Sequence, residues 1–417
     1  MSDSPAQTVF SRIAGESRAD APQSEEARNG LRHIASLSMT KVADGLIDPK
    51  LVLAWMVTAL GAPAVYAGAL VPIREAGALL PQMPLAGVVQ RMRTRKWLWV
   101  IGSAGQGAAA ALIVLAALSL QGAAAGLAIC GALALLAVCR AACSVSYKDI
   151  LGKTVAEARR GSVTGLAGSV SSVGVLTFAG VLILGPGQSK GLIIGAIALA
   201  AVMWGLAALL FSTLEENPSD TGKSASADFS VLKDNPVLWR FIFVRGLLVS
   251  TALAPPYLVV LAGNGALDKL GALVLASALA SFVSSYIWGR FADRSSRRVL
   301  MMSGIIGALA MGTAVALWLL GLAQGWAAMP LVLFVLMIAY HGVRQGRSTY
   351  LVDLAPEEKR AAYSAVTNTV IGALLLGAGV LGGGAALIGA QATLLLFAAM
   401  ALAAALVARG LPEAEAQ

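Results

Sequence analysis

Charge is what this sequence has least of. Of 417 residues, 13% are Asp, Glu, Lys or Arg, against about a quarter in soluble globular proteins. That is too little polar surface to wet a water-soluble particle of this length. Histidine is scarcer still, with only His33 and His341, and the three cysteines have no second Cys/His pair at zinc spacing. The counts argue against a metal centre and against a disulfide framework. Phosphate-binding loops, nucleotide-binding motifs and catalytic triads are also missing, which argues against ATP-driven chemistry and against an enzyme. No cofactor, metal or nucleic-acid partner is expected. The 45 glycines lie inside Ala/Leu/Val-rich runs without a three-residue period, so they do not signal collagen or a low-complexity chain.

What is present is apolar sequence: 58% hydrophobic residues, with a mean hydropathy of +0.77. Runs near twenty residues, long enough to cross about 30 Å of hydrocarbon, fall at 68–90, 97–118, 123–146, 163–185, 192–212, 241–261 and 270–289. Four more follow at 299–320, 326–344, 362–381 and 389–408. The expected class is an all-α, multi-pass membrane protein whose solvent is the lipid bilayer. Lys and Arg orient it. Nineteen basic residues, among them Arg91, Arg95, Lys96, Arg159, Arg294 and Arg360, fall between alternate pairs of runs, against Lys190 and Lys269 on the other side. By the positive-inside rule the nineteen face the cytoplasm, and both termini do too. That requires an even number of spans, so a twelfth must lie upstream of residue 68. The first thirty residues are polar, mixed in charge and without an apolar leader core, and read as a disordered cytoplasmic tail.

The chain repeats itself at an offset of 200 to 203 residues. The stretch 87–96 matches 289–298, Ala-Glu-Ala-Arg-Arg-Gly at 156–161 matches Pro-Glu-Glu-Lys-Arg-Ala at 356–361, and Gly-Ala-Leu-Val recurs at 68–71 and 271–274. Two parallel six-helix halves account for this. The expected organisation is a tail over 1–30, an N-terminal bundle over 31–213, a cytoplasmic linker over 214–235, a C-terminal bundle over 236–409 and a tail over 410–417.

Within that frame, Gly289-Arg-Phe-Ala-Asp293-Arg294-Ser-Ser-Arg297-Arg298 resembles the loop motif of the major facilitator superfamily, between the second and third helices of a half. Ser296 replaces the usual glycine. In the first half Arg91 stands at the motif's aspartate position and Thr94 at its glycine. Arg140 and the Arg160-Gly161 junction resemble that superfamily's fourth-helix arginine and the end of its following loop. The resemblance implies a twelve-helix transporter fold in which Gly289, Asp293, Arg294, Arg297 and Arg298 form a cytoplasmic gate. It does not identify a subfamily.

The repeat offset places the missing first span at 33–60, carrying Lys41, Asp44, Asp48 and Lys50, and puts Arg74 and Glu75 inside the second. Lys41, Asp44 and Asp48 share one helix face, and Pro49 interrupts the helix beside them. An alternative has an amphipathic helix over 32–47 lying at the interface, but it shortens the second span below the usual length. Charge inside a membrane is costly and needs a functional reason. Asp44, Asp48 and Glu75, with Arg74 and Arg140 as internal partners, are the proton-coupling candidates. The C-terminal half has no embedded acid. Its Arg245, Arg344, His341, Tyr257 and Tyr340 are the substrate-binding candidates, because arginine offers a planar fork to carboxylate or phosphate. Lys148 and Asp149 are adjacent and are expected to pair.

The function expected is secondary transport of a small organic solute, an anionic or amphoteric metabolite, across the cytoplasmic (inner) membrane. It would proceed by alternating access in a proton-coupled monomer. Drug–proton antiport is an alternative, and a non-transporting assembly factor or sensor on the same fold is another.

Overall fold

A computed structural model describes residues 5–14, 24–184, 189–218, 235–262, 269–292, 294–355 and 360–413. Lipid offers no hydrogen bonds to a crossing backbone, so long apolar runs must close their own, and the described elements are all helices. The first half holds α1 (Pro5–Ala14), α2 (Ser24–Leu46), α3 (Val52–Ala59), α4 (Ala64–Leu79), α5 (Gln82–Arg91), α6 (Lys96–Ser119), α7 (Gly122–Thr154), α8 (Glu157–Leu184) and α9 (Lys190–Ser212). The second holds α10 (Pro236–Leu248), α11 (Ser250–Leu253), α12 (Pro255–Ala262), α13 (Leu270–Ala292), α14 (Ser296–Leu319), α15 (Ala328–Leu354), α16 (Arg360–Ala386) and α17 (Ala390–Ala408).

Among the described residues, nine helices are long and apolar enough to cross a membrane, and Leu270–Ser284 is a shorter apolar one. The more polar segments α2–α3 and α4–α5 bring the arrangement into agreement with twelve crossings. Leucines, valines and phenylalanines such as Leu118, Leu209, Phe282 and Val380 point outward and are largely exposed. Outward apolar side chains suit lipid, not water.

Both halves pack alike. In the first, α6 lies between α7 and α9, and α4 lies on α7; in the second, α14 lies between α15 and α17, and α13 lies on α15. The halves meet along two seams, α4 on α16 and α8 on α13. Small residues allow the approach: a Cβ on Gly379 would sit 2.5 Å from Pro72, and one on Gly271 would sit 2.8 Å from Ile183.

The first crossing is broken where proline predicts. Pro49 has no N–H to donate, and the Lys50 amide turns to Asp48 Oδ1 at 2.6 Å. The Leu53 amide reaches the Asp48 carbonyl and helix resumes as α3. The seventh crossing is likewise divided, at Val249 and at Ala254 before Pro255-Pro256.

The stretch expected to be a disordered tail carries helix over Pro5–Ala14 and again from Ser24. Phe10 is fully buried against Ala27, Ile34, Leu151, Val155 and Val163. Gly30 makes room for it, since a Cβ there would stand 2.1 Å from the ring. The Arg159 guanidinium donates to Glu26 Oε2 at 2.6 Å and Oε1 at 3.0 Å, and the Ala156 amide donates to Oε1 at 2.9 Å. Burial alone would raise this carboxyl, but Arg159 and that amide outweigh it and hold Glu26 below the ordinary value. One aromatic anchor and one ion pair order a segment whose composition is otherwise that of a tail.

Candidate functional site

Charges from three helices of the first half converge on Asp44. It sits in α2, which packs lengthwise against α8 and α9, inside the bundle. Arg74 of α4 donates from Nη2 to Asp44 Oδ1 at 2.6 Å, and Arg140 of α7 donates from Nη1 to Oδ2. One carboxylate thus holds two guanidiniums, one on each oxygen. Withdrawn from water, such a group persists only when its lone pairs are filled this way. Arg74 and Arg140, expected as partners of Asp44, Asp48 and Glu75 together, both pair with Asp44, and that cluster carries a surplus of one positive charge.

One turn on, the backbone break points Lys50 across the molecule. Its side chain is buried, and Nζ lies 3.7 Å from the ring centroid of Tyr340 on α15, in the other half. A desolvated cation over an aromatic face is worth roughly 2 kcal/mol. Asp48 remains with its own turn.

Beside this bridge is a cavity of about 60 Å³. Its polar lining is Glu75 from α4, Arg245 from α10, Thr251 from α11, and Tyr340, Arg344 and Arg347 from α15, with Leu79, Val343, Ile371 and Leu375 supplying apolar walls. Arg245 is 5% exposed. Its Nη2 donates to Asn368 Oδ1 at 3.1 Å, while its buried Nε has no acceptor. Three arginines therefore face one acid in a space between the halves.

The other predicted residues lie elsewhere. His341 packs edge-on against Tyr340, with centroids 5.2 Å apart, and does not line the cavity. Tyr257 is buried in the seam at the end of the bundle away from the linker: it stands T-shaped to Phe397 at 5.8 Å and fills the space beside Gly68. Of the loop motif, Gly289 is near the end of α13, Asp293 lies outside the described residues, and Arg294 is exposed. Arg297 donates to Glu413 Oε1 at 2.6 Å, Arg298 is 3.7 Å from the same oxygen, and Ser295 donates to Oε2 at 2.6 Å. The motif's arginines thus tie α14 to the segment after α17 of their own half. The first half repeats the device, with Glu216, past α9, accepting the Arg95 and Lys96 amides at 3.1 and 2.7 Å. Asp149 pairs with Arg95 and Lys153, not with its neighbour Lys148, because an i,i+4 partner shares its helix face and an i−1 residue does not.

Sequence reasoning passed over three participants: Arg347, Asn368 and the Lys50–Tyr340 bridge. Arg347 is one turn from Arg344 on the same helix, and that spacing alone marks both for one face. Asn368 and the bridge have no signal in the sequence, since they depend on how the halves dock.

The sequence profile described as Major Facilitator Superfamily matches residues 250–417. No curated protein matches the chain. Among solved structures, a mutant of the nucleoside transporter NupG superposes with a TM-score of 0.69 at 14% identity, over 92% of this chain and 99% of that one. A D-xylose–proton symporter gives 0.68 at 12%, over 93% and 99%. The POT family transporter PepTSo gives 0.67 at 11%, over 93% and 98%. At these identities the likeness is one of fold.

Proposed function

We propose that this chain, which has the major facilitator superfamily fold, is a secondary transporter that moves a small organic anion by alternating access, coupled to protons through Glu75. The observation that carries the reading is the cavity between the halves, where Arg245, Arg344 and Arg347 face a single carboxylate. Cations gathered around one small space are costly unless an anion joins them. The three guanidiniums repel one another, and a bound anion relieves that repulsion.

Glu75 is the acid suited to coupling. Asp44 is held by two arginines, and Asp48 by the turn that ends α2. Glu75 instead lines the cavity and sits in the field of Lys50, Arg74 and Arg347. A proton on Glu75 raises the positive charge of the cavity, so proton and anion favour each other's binding. That is the sign required for symport. Lys50, seated on Tyr340 next to the cavity, links the two halves where occupancy is sensed. The protein acts as a monomer in the cytoplasmic membrane, with both termini inside.

Purified protein in liposomes under an imposed pH gradient tests the reading. Anion uptake accompanied by proton entry is expected, and Glu75→Gln, which mimics the protonated side chain, should tighten anion binding and abolish its pH dependence. Absence of flux for anions, cations and neutral solutes alike, with stable co-purification of a membrane partner, would show an assembly factor instead.

A further inference from the structure

Resting on the anion-transport reading, we infer that the substrate is a small dianion, a group or pair of groups carrying two negative charges on oxygen. The charge sum is the first observation. With Glu75 ionised, Arg245, Arg344 and Arg347 leave the cavity lining at plus two before the coupled proton is taken up. No neighbouring acid is free to cancel this. Asp44 is already outnumbered by Arg74 and Arg140, and Asp48 interacts electrostatically with Lys50, whose charge balances its own without an ion pair. Bound there, a monoanion leaves one guanidinium unmatched, a neutral solute leaves two, and a cation adds a third.

Donor geometry is the second observation, and it is independent of the sum. Arg245 is nineteen-twentieths buried, is fixed by Asn368, and keeps an Nε–H with no acceptor. A buried donor left open in this way is uncommon and marks a place for a ligand oxygen. Arg344 and Arg347 make no ion pair among the described residues and project from adjacent turns of α15 toward the same cavity. Guanidinium forks from α10 and α15 therefore converge from two elements. They suit either a single phosphate monoester, which presents three oxygens, or the two ends of a short dicarboxylate. The limited volume of the cavity restricts the ligand to a few heavy atoms beyond its charged groups.

The test is a binding panel on the purified full-length protein in detergent. Succinate and methyl phosphate are the dianion probes, acetate the monoanion, citrate the trianion and choline the cation, all at one ionic strength. One or both dianions should bind at least about tenfold tighter than acetate, the worth of one charge-assisted hydrogen bond. Whichever dianion wins identifies the head group. Arg347→Gln, which lowers the lining to plus one, should bring acetate to parity. Arg347→Lys keeps the charge and should keep the preference. Glu75→Gln, at plus three, should move the preference toward citrate. Acetate or choline binding as tightly as the dianions would overturn the proposal. So would a dianion preference that survives both Arg344→Gln and Arg347→Gln, or no binding by any probe. Flux of a neutral or cationic solute in liposomes without dianion binding would reject this charge assignment and leave the transporter standing. Absence of flux for every solute class would reject transport itself.

Discussion

Replacing Asp44 by Asn removes one negative charge and almost no volume, so its effect isolates the electrostatics of the embedded cluster. In the native protein Asp44 joins Arg74, whose side chain is 8% exposed, and Arg140, whose side chain is 39% exposed. Losing one member of a buried ion pair costs about 3–5 kcal/mol, because the other charge is left unmatched. Solvent screens the Arg140 limb, which moves the expectation to the low end, about 3 kcal/mol. Arg74→Gln in the same chain removes one of the stranded cations. The double variant should then lose less than the sum of the single ones, with a coupling of roughly 1–3 kcal/mol. Unfolding of the purified protein in detergent, followed for wild type, both single variants and the double, measures all four corners. An Asp44→Asn protein within about 0.5 kcal/mol of wild type and uncoupled to Arg74 would refute the reasoning. It would mean that the carboxylate is solvated and that α2 lies at the membrane surface.

Phe10→Ala empties the pocket under Gly30, at a cost of about 3–5 kcal/mol to the docking of α1. Hydrogen exchange should rise across Pro5–Ala14 while the membrane helices keep their protection. Glu26 is held below its ordinary value near 4.5, so its contribution is fully present above that value and is lost as pH falls through the lowered folded value. Protease sensitivity of the N-terminal segment should rise with acidification, and Glu26→Gln should show that sensitivity already at neutral pH. A Cβ on Gly68 would stand 2.0 Å from the Tyr257 hydroxyl oxygen and 2.5 Å from Cζ. Gly68→Ala should therefore destabilise by about 1–3 kcal/mol, and a Gly68→Ala/Tyr257→Leu double variant should fall short of the sum when unfolding of the purified protein in detergent is followed.

Eleven crossings were legible as hydropathy because lipid imposes length and apolarity on each. The first was not, since Lys41, Asp44, Asp48 and Lys50 dilute it; the internal repeat recovered its register and placed Arg74 and Glu75 inside the second. The residue types of the site followed from the same reasoning, because charge in an apolar span stands out. Partnership was less accessible. Asp44 meets arginines 30 and 96 positions away, which requires the rotation of three helices. Lys50 reaches Tyr340 only because the halves close against each other there. Tyr257 is as apolar in its surroundings as a cavity residue would be, and only docking shows that it belongs to the seam. Glu413 and Glu216 read as tail and linker acids, yet each cements the third helix of its half. Phe10 was one apolar residue in a polar stretch, and no periodicity announces a single anchor.

The central claim is that the cationic cavity between the halves carries an anion across the membrane. Uptake of labelled succinate and methyl phosphate by proteoliposomes, with a proton-sensitive dye inside and the Arg347→Gln protein in parallel, tests it most directly. At least one dianion should accumulate with proton entry in the wild type, with a loss of about tenfold or more in the variant. Equal accumulation of a cation or neutral solute by both proteins, with neither dianion moving, would contradict it.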